Sequence, residues 1–424
     1  MKIVLKNIGK LQCADIDIDG ITVIAGANNT GKSTVSKALY AFFNGLYKVE
    51  DEFLEDKRHS VQNIIANMHS DEEFEFDEYA YDYADEIVKR WSGLGNDFKD
   101  FQLLFSSMIG KQAFDSLDGA DIKKAYDEMN SVFDISFEQF VSKKISEYYY
   151  SEFQSQVNNI YNNKNAEIEL TLKSKKYNIV IADNNVNSIN AIEQINTEAV
   201  YIDDPFILDN CTSHLSYTKS IMFSPLHKQR LSRHLYNYSR NVRINKSVIE
   251  NIIKEKKLEK IEILFEQVVK GKIGTLKPHR FSYFEDGQTE ELRIENLSSG
   301  LKLFVMLKML IQEGVIEENG TLILDEPEIH LHPEWQLILA EIIVLMQKSF
   351  GLHVLINTHS PYFLNAIEVY SKKHDIDDKC KYYASKKEES RCNIVDVTED
   401  TRVIYKELAK PFQQLENERA RFDD

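Results

Sequence analysis

The sequence predicts an α/β fold: a mixed β-sheet with flanking helices, interrupted by helical insertions. Three apolar runs point to it. Ile21-Thr22-Val23-Ile24-Ala25 leads into a glycine-rich loop and then a helix. Thr321-Leu322-Ile323-Leu324 ends in Asp325-Glu326-Pro327, and Val354-Leu355-Ile356 is followed by Thr358-His359-Ser360-Pro361. Short segments that are apolar along their whole length read as strands buried on both faces, as in parallel sheets covered by helices.

In chain order, Ile3 and Leu5, then Ile16 and Ile18, alternate with polar residues as half-buried strands do. The strand Ile21–Ala25 follows, and a helix runs through Ala38-Leu39-Tyr40-Ala41-Phe42-Phe43. Residues 46–165 read as a polar, aromatic-rich helical insertion. It holds an acidic tract, Asp71–Glu86, without Lys or Arg, which is either a solvated face or a docking surface for a basic partner. Residues 166–215 return to strands (Ile168–Leu172, Tyr177–Ile181, Ala199–Ile202) that complete the sheet. Residues 216–275 form a second helical insertion, in which ten Lys/Arg face three Glu between His227 and Lys260. Asp286-Gly287 suits a tight turn joining Phe281–Phe284 to Glu291–Ile294. A helix from about Ser298 to Glu313, the strand Thr321–Leu324, a helix near Glu334–Lys348 and the strand Val354–Ile356 follow. Residues 371–424 are left as a C-terminal tail.

The 424 residues carry 51 Lys+Arg against 68 Asp+Glu, a net charge of −17. Non-specific coating of DNA is driven by phosphate contacts and favours the opposite sign, so nucleic-acid binding requires a local basic patch. The apolar run Leu337–Met346 is broken by Glu341 and reads as a buried helix, not a membrane span. The N-terminus lacks the pattern of a signal peptide, and the four cysteines form no CxxC pair, which places the chain in the cytoplasm.

Four motifs carry chemistry. Gly26–Ser33 fits G-x-x-x-x-G-K-[ST] between a buried strand and a helix, the context a phosphate-binding loop requires. Gly26 and Gly31 let the loop through Asn28, Asn29 and Thr30 curl its N–H groups toward a phosphate chain, and the helix start at Lys32-Ser33-Thr34 adds its dipole. Lys32 is expected to reach the β- and γ-phosphates of ATP, and Ser33 to ligate Mg²⁺. Asp325 is expected in the metal shell, with Glu326 orienting or deprotonating the attacking water. Ser298-Ser299-Gly300 opens a helix, either as a simple cap or as a second anion site. His359 follows a strand and is either structural or a hydrogen-bond donor to a terminal phosphate.

The order of these motifs resembles the ABC-type ATPase heads, in the ABC/SMC-like branch that includes RecF-type repair ATPases and the ATPase halves of OLD-family nucleases. Within it, Asp325-Glu326-Pro327-Glu328-Ile329-His330-Leu331-His332-Pro333 and Thr358-His359-Ser360-Pro361 resemble the ATPase subunits of bacterial anti-phage systems such as Septu and PARIS. The resemblance covers residues 1–45 and 276–370, taken as the ATPase head.

It implies an ABC-type P-loop ATPase head with helical, arm-like insertions, paired head-to-tail as a homodimer that sandwiches two ATP molecules, with larger assemblies open. Gly26–Thr34, Asp325 and Glu326 of one copy would then face Ser298 and Gly300 of the other, and His359 would sense the γ-phosphate. Leu301 stands where transporter signatures carry Gln, and no Q-loop residue is assignable, Gln194 lacking context. His330 and His332 have a spacing that could hold zinc, but the family motif accounts for them without it. Because 63 residues follow Pro361, a nuclease effector of HNH or Toprim type is expected on a separate chain, released by a phage-derived trigger. The alternatives are a RecF-like repair ATPase using Lys228–Lys260 on DNA, a transporter motor, and an ATP-gated scaffold with little turnover.

Overall fold

The computed structural model describes residues 1–68, 76–93, 97–162, 164–190, 193–211, 218, 224–239, 248–277, 280–288, 290–388 and 391–423. Its strands are β1 (Lys2–Ile8), β2 (Leu11–Asp17), β3 (Ile21–Ala25), β4 (Ala166–Leu172), β5 (Lys175–Ala182), β6 (Asn185–Asn190) and β7 (Ala199–Ile202). They continue with β8 (Gly271–Lys277), β9 (Arg280–Glu285), β10 (Leu292–Arg293), β11 (Thr321–Asp325), β12 (His353–Thr358), β13 (Cys380–Glu388) and β14 (Arg391–Asp396).

Among the described residues, eleven strands form one mixed sheet in the order β6-β5-β4-β1-β2-β14-β13-β3-β12-β11-β7. The strands from β13 to β7 run parallel, whereas β6, β5, β4, β1 and β2 pair antiparallel. Burial follows the residue pattern. Strands β3 and β7 are buried throughout, and β11 and β12 at nearly every position, while β1 and β4 alternate between buried and more exposed residues.

The helices Ser299–Glu313 and Pro333–Phe350 contribute Leu303, Leu307, Ile342 and Ile343 to the core over the parallel strands. Both are well delimited: Ser298 caps the first and Gly314 ends it at φ +75°, while Pro333 opens the second and Gly351 closes it at φ +64°. No helix among the described residues is long and apolar enough to cross a membrane.

The chain divides into two compact units. One comprises Met1–Tyr47, Ile145–Ala191 and Asn196–Asp424 and holds the sheet. Residues 145–165, expected in the helical insertion, fall in this unit, and the other unit comprises Lys48–Lys144 and Ile192–Ile195. Its own core includes Val61, Ile65, Phe101, Phe105 and Met129, with Trp91 stacked on Phe133 at 4.3 Å. Of the acidic tract, residues 71–75 lie outside the described residues. The remainder falls in the helix Phe76–Arg90, where Asp85 meets Arg58 and Lys89.

Three further segments differ from the sequence expectation. Residues 371–424, set apart as a tail, supply β13 and β14, which lie inside the sheet between β2 and β3. Residues 216–275, read as a second insertion, fold into the sheet-bearing unit: Leu231, Leu235, Leu258, Ile261 and Phe265 join its core. The hairpin at Asp286-Gly287 pairs β9 with β10 through Tyr283 and Leu292, but β10 is only two residues long. Ile294 turns into a short 3₁₀ helix and is buried there, and β8 adds the third strand of this smaller sheet.

Candidate functional site

Parallel strands end at a common edge, and their register decides what meets there. Thr358 pairs with Ala25, Asp325 with Asn357, and Leu324 with Ile202. The glycine-rich loop, the Asp-Glu pair, His359 and Asp203-Asp204 therefore all leave the same edge of the sheet. In open α/β sheets this carboxyl edge is where ligands bind.

The loop after β3 is held from below by the C-terminal strands. Gly26 has φ +154°, and a Cβ there would lie 2.3 Å from Ser385 Oγ, so only glycine fits. Thr30 and Ser385 share a hydroxyl–hydroxyl hydrogen bond of 2.6 Å. Asn28 and Asn29 are exposed, and Lys10 Nζ donates to Asn29 Oδ1. Gly31, at φ +90°, caps the helix Lys32–Leu46 without a side-chain acceptor, leaving its first turn as an anion-binding end. Lys32 is 3% exposed; its Nζ donates to the carbonyls of Gly26 and Ala27 at 3.1 and 3.0 Å and lies 3.5 Å from Glu326 Oε1. Ser33 and Thr34 are half-buried on the same turn.

Asp325 is held by two neutral donors. Tyr201 donates its hydroxyl to Oδ2 at 2.9 Å, and Asn357 donates its amide to Oδ1 at 2.9 Å and also to Ser36 Oγ. Burial raises the Tyr201 phenol well above its ordinary range, with the nearby Asp325 adding to the effect, so it stays protonated and able to donate. The next residue, Glu326, adopts φ +51°, an uncommon conformation for a side chain of this size. Its N–H donates to the Asn357 carbonyl, and its carboxylate lies 3.5 Å from both Lys32 Nζ and His359 Nδ1. His359 is 40% exposed on its side chain.

Glu328 is buried beneath. Its Oε1 accepts from the Thr358 hydroxyl and the His359 N–H, and burial raises its carboxyl despite these bonds. Ser299 and Gly300 line a solvent-open cleft with Asp325, Glu326, Pro327 and Asp203-Asp204. Ser298 accepts from Leu301 N at 3.3 Å. A Cβ on Gly300 would lie 3.0 Å from the His330 carbonyl, so the helix start is pressed against the segment after β11. His330 sets its ring edge against Phe206, and His332 caps the helix Pro333–Phe350.

Asp203 and Asp204 carry cations of their own. His227 bridges Glu152 (Nδ1 to Oε2, 2.6 Å) and Asp203 (Nε2 to Oδ2, 3.2 Å), and Lys228 Nζ lies 3.3 Å from both aspartates. Burial lowers a histidine's affinity for its proton, but the two carboxylates outweigh it and raise His227. Burial likewise opposes the ionised form of Asp203, yet His227 and Lys228 hold it below its usual range.

The structure thus brings Lys32, Asp325, Glu326 and His359 to one place, with Ser299 and Gly300 sharing the cleft. Gln194 belongs to the helical unit. Sequence reasoning missed Tyr201, Asn357, Glu328 and Ser385. The one visible signal was that Ala199–Ile202 ends in Asp-Asp-Pro much as Thr321–Leu324 ends in Asp-Glu-Pro. The donor set (a carboxylate with free lone pairs, a hydroxyl at a helix start, a buried ammonium) fits a magnesium-bound triphosphate.

Among solved structures, similarity is found to the SMC head domain from Thermotoga maritima (10% identity, TM-score 0.38, covering 93% of this chain and 98% of that one). An SMC head bound to the C-winged helix domain of ScpA aligns at 11% identity and TM-score 0.40, over 95% and 98%. An SMC head with an extended coiled coil, bound to the C-terminal domain of ScpA from Pyrococcus furiosus, aligns at 13% identity and TM-score 0.40, over 96% and 99%. The family profile described as AAA ATPase domain matches residues 1–364. With that match spanning most of the chain, the protein belongs to the AAA ATPase domain family and is a P-loop ATPase.

Proposed function

We propose that the chain binds ATP with magnesium at the sheet edge, hydrolyses it slowly, and pairs with a second copy across the nucleotide. In this reading it is the sensor or regulatory subunit of a bacterial anti-phage complex whose nuclease is a separate chain. The observation that carries the enzymatic part is Glu326. Its left-handed backbone, its 3.5 Å contacts to Lys32 and His359, and its place directly after Asp325 support a role for this carboxylate in orienting water toward a terminal phosphate.

Lys32, now on loop carbonyls, would turn to the phosphates. The helix start at Ser33 and Thr34 would bind phosphate oxygens, and Glu326 would accept the water's proton. Magnesium, with Asp325 and Ser33 as its protein donors, supplies charge neutralisation at the phosphate oxygens. Ser298-Ser299-Gly300 would meet the nucleotide of the second copy, and His359 the γ-phosphate. The defence role rests on the resemblance of Asp325–Pro333 and Thr358–Pro361 to anti-phage ATPases. The repair reading loses support, because Lys228 and Arg230 of the proposed DNA face are engaged by Asp203, Asp204 and Glu198. Arg240 and Arg243 lie outside the described residues.

Two measurements test the proposal. Light scattering of Glu326→Gln with ATP and magnesium should give a dimer mass that adding Ser298→Arg, a change at an exposed position, abolishes; a monomer under all conditions would remove the pairing. Cells carrying the gene with its neighbouring reading frames should resist phage, and Lys32→Ala should abolish that resistance. Protection that survives Lys32→Ala would remove the regulatory role of the nucleotide.

A further inference from the structure

Asp325 ends β11, and each oxygen of its carboxylate is tied to a different neighbouring strand. The register explains how. Asn357 on β12 lies directly opposite Asp325, and Tyr201 on β7 lies opposite Ile323, two residues earlier on the same face. Tyr201 therefore reaches diagonally to Oδ2 while Asn357 takes Oδ1, both at 2.9 Å. Two donors on two oxygens fix the plane of the carboxylate and leave each oxygen a lone pair for another partner.

Tyr201 is itself braced. It is 2% exposed, its ring stacks on His227 at 4.4 Å between centroids, and Tyr40 packs at 6.0 Å on a tilt. Asn357 is fully buried and tied by its second amide hydrogen bond to Ser36 on the helix after the phosphate loop.

We propose that Tyr201 and Asn357 are positioning residues that set the Asp325 carboxylate for magnesium, so that they govern metal affinity and not the grip of the loop on nucleotide. The assignment rests on the reading of the site given above. Partners of this kind, which orient a metal-binding carboxylate from behind, change metal affinity by about 10- to 100-fold when removed.

The test is a titration of ATP binding against magnesium concentration, followed by calorimetry, with a parallel series in EDTA. Tyr201→Phe keeps the ring and its stacking and removes only the hydroxyl. It should raise the magnesium concentration needed for half-maximal effect about tenfold and leave binding in EDTA at the parent level. Asn357→Ala should shift it the same way, and excess magnesium should rescue both. A parent-like magnesium dependence in Tyr201→Phe overturns the assignment. So does an equal loss with and without magnesium, the mark of a purely structural role. If the folded parent takes up no ATP in either series, the reading of the site fails, and this assignment fails with it.

Discussion

Strands β7 and β11 lie side by side, run parallel and read almost alike: Ala199-Val200-Tyr201-Ile202-Asp203-Asp204-Pro205 beside Thr321-Leu322-Ile323-Leu324-Asp325-Glu326-Pro327. Their acid pairs face opposite surroundings. Asp325 accepts from the neutral Tyr201 and Asn357, and Glu326 looks toward Lys32 and His359. Asp203 and Asp204 are met by His227 and Lys228 from the helix Leu226–Ser239. Four uncompensated carboxylates at one edge would repel a triphosphate, and this helix neutralises two of them. An acid pair at a strand end is thus a common solution to leaving a sheet. The groups opposite it decide whether it can do chemistry.

The widest contrast between the strands should be in turnover. Glu326→Gln should lower ATP hydrolysis by roughly 10²- to 10⁴-fold, the usual contribution of a positioned general base, while ATP binding is retained. A larger loss in Asp203→Asn than in Glu326→Gln, measured in the same phosphate-release assay, would reverse the comparison.

Stability should show the opposite ranking. His227→Ala leaves the fully buried Glu152 and the partly exposed Asp203 without their shared cation, and removing one partner of the buried His227–Glu152 pair costs about 3–5 kcal/mol. Urea unfolding that gives a difference below about 1 kcal/mol would mean that the helix merely rests on β7.

The same helix also grips the start of β7. Glu198, just before that strand, meets Arg230 at 2.7 Å and His234 at 3.1 Å. Burial would raise its carboxyl, but His234 and Arg230 outweigh this and hold it at about 2. A depressed carboxyl stabilises the fold above its unfolded value and loses that contribution as pH falls through the folded one. Relative to Glu198→Gln, the parent should therefore lose on the order of 3 kcal/mol between pH 5 and pH 2. Parallel acid-unfolding curves for the two proteins would contradict the clamp. The smallest effect belongs to Lys228→Ala: its side chain is 25% exposed, and such partly solvated pairs contribute less than about 1 kcal/mol.

What the sequence displayed and what it hid follow the same logic. β3, β11 and β12 were legible because burial on both faces makes a strand apolar throughout, and the phosphate loop announces itself between such a strand and a helix. β13 and β14 were not, because Lys381, Lys386 and Lys387 interrupt a strand whose centre is only Tyr382-Tyr383-Ala384. Yet Ser385 braces Thr30, and the Tyr383 hydroxyl accepts from Asp17 N–H.

The basic run from His227 reads in the sequence as part of a second helical insertion and, in the repair alternative, as a DNA face. Nothing in its spacing reveals that Glu152, Glu198 and Asp203, distant in the chain, come together beneath it. Tyr201 and Asn357 were hidden for a related reason. Tyr201 is the one polar group in an otherwise apolar strand and Asn357 stands near the polar end of β12, and the use of each appears only once the register is known.

The most direct test of the central claim is calorimetry of ATP binding to the folded protein with magnesium present, parent beside Lys32→Ala. The account predicts saturable uptake by the parent and a clear weakening in Lys32→Ala. A well-folded parent that releases no heat and binds no ATP would contradict it.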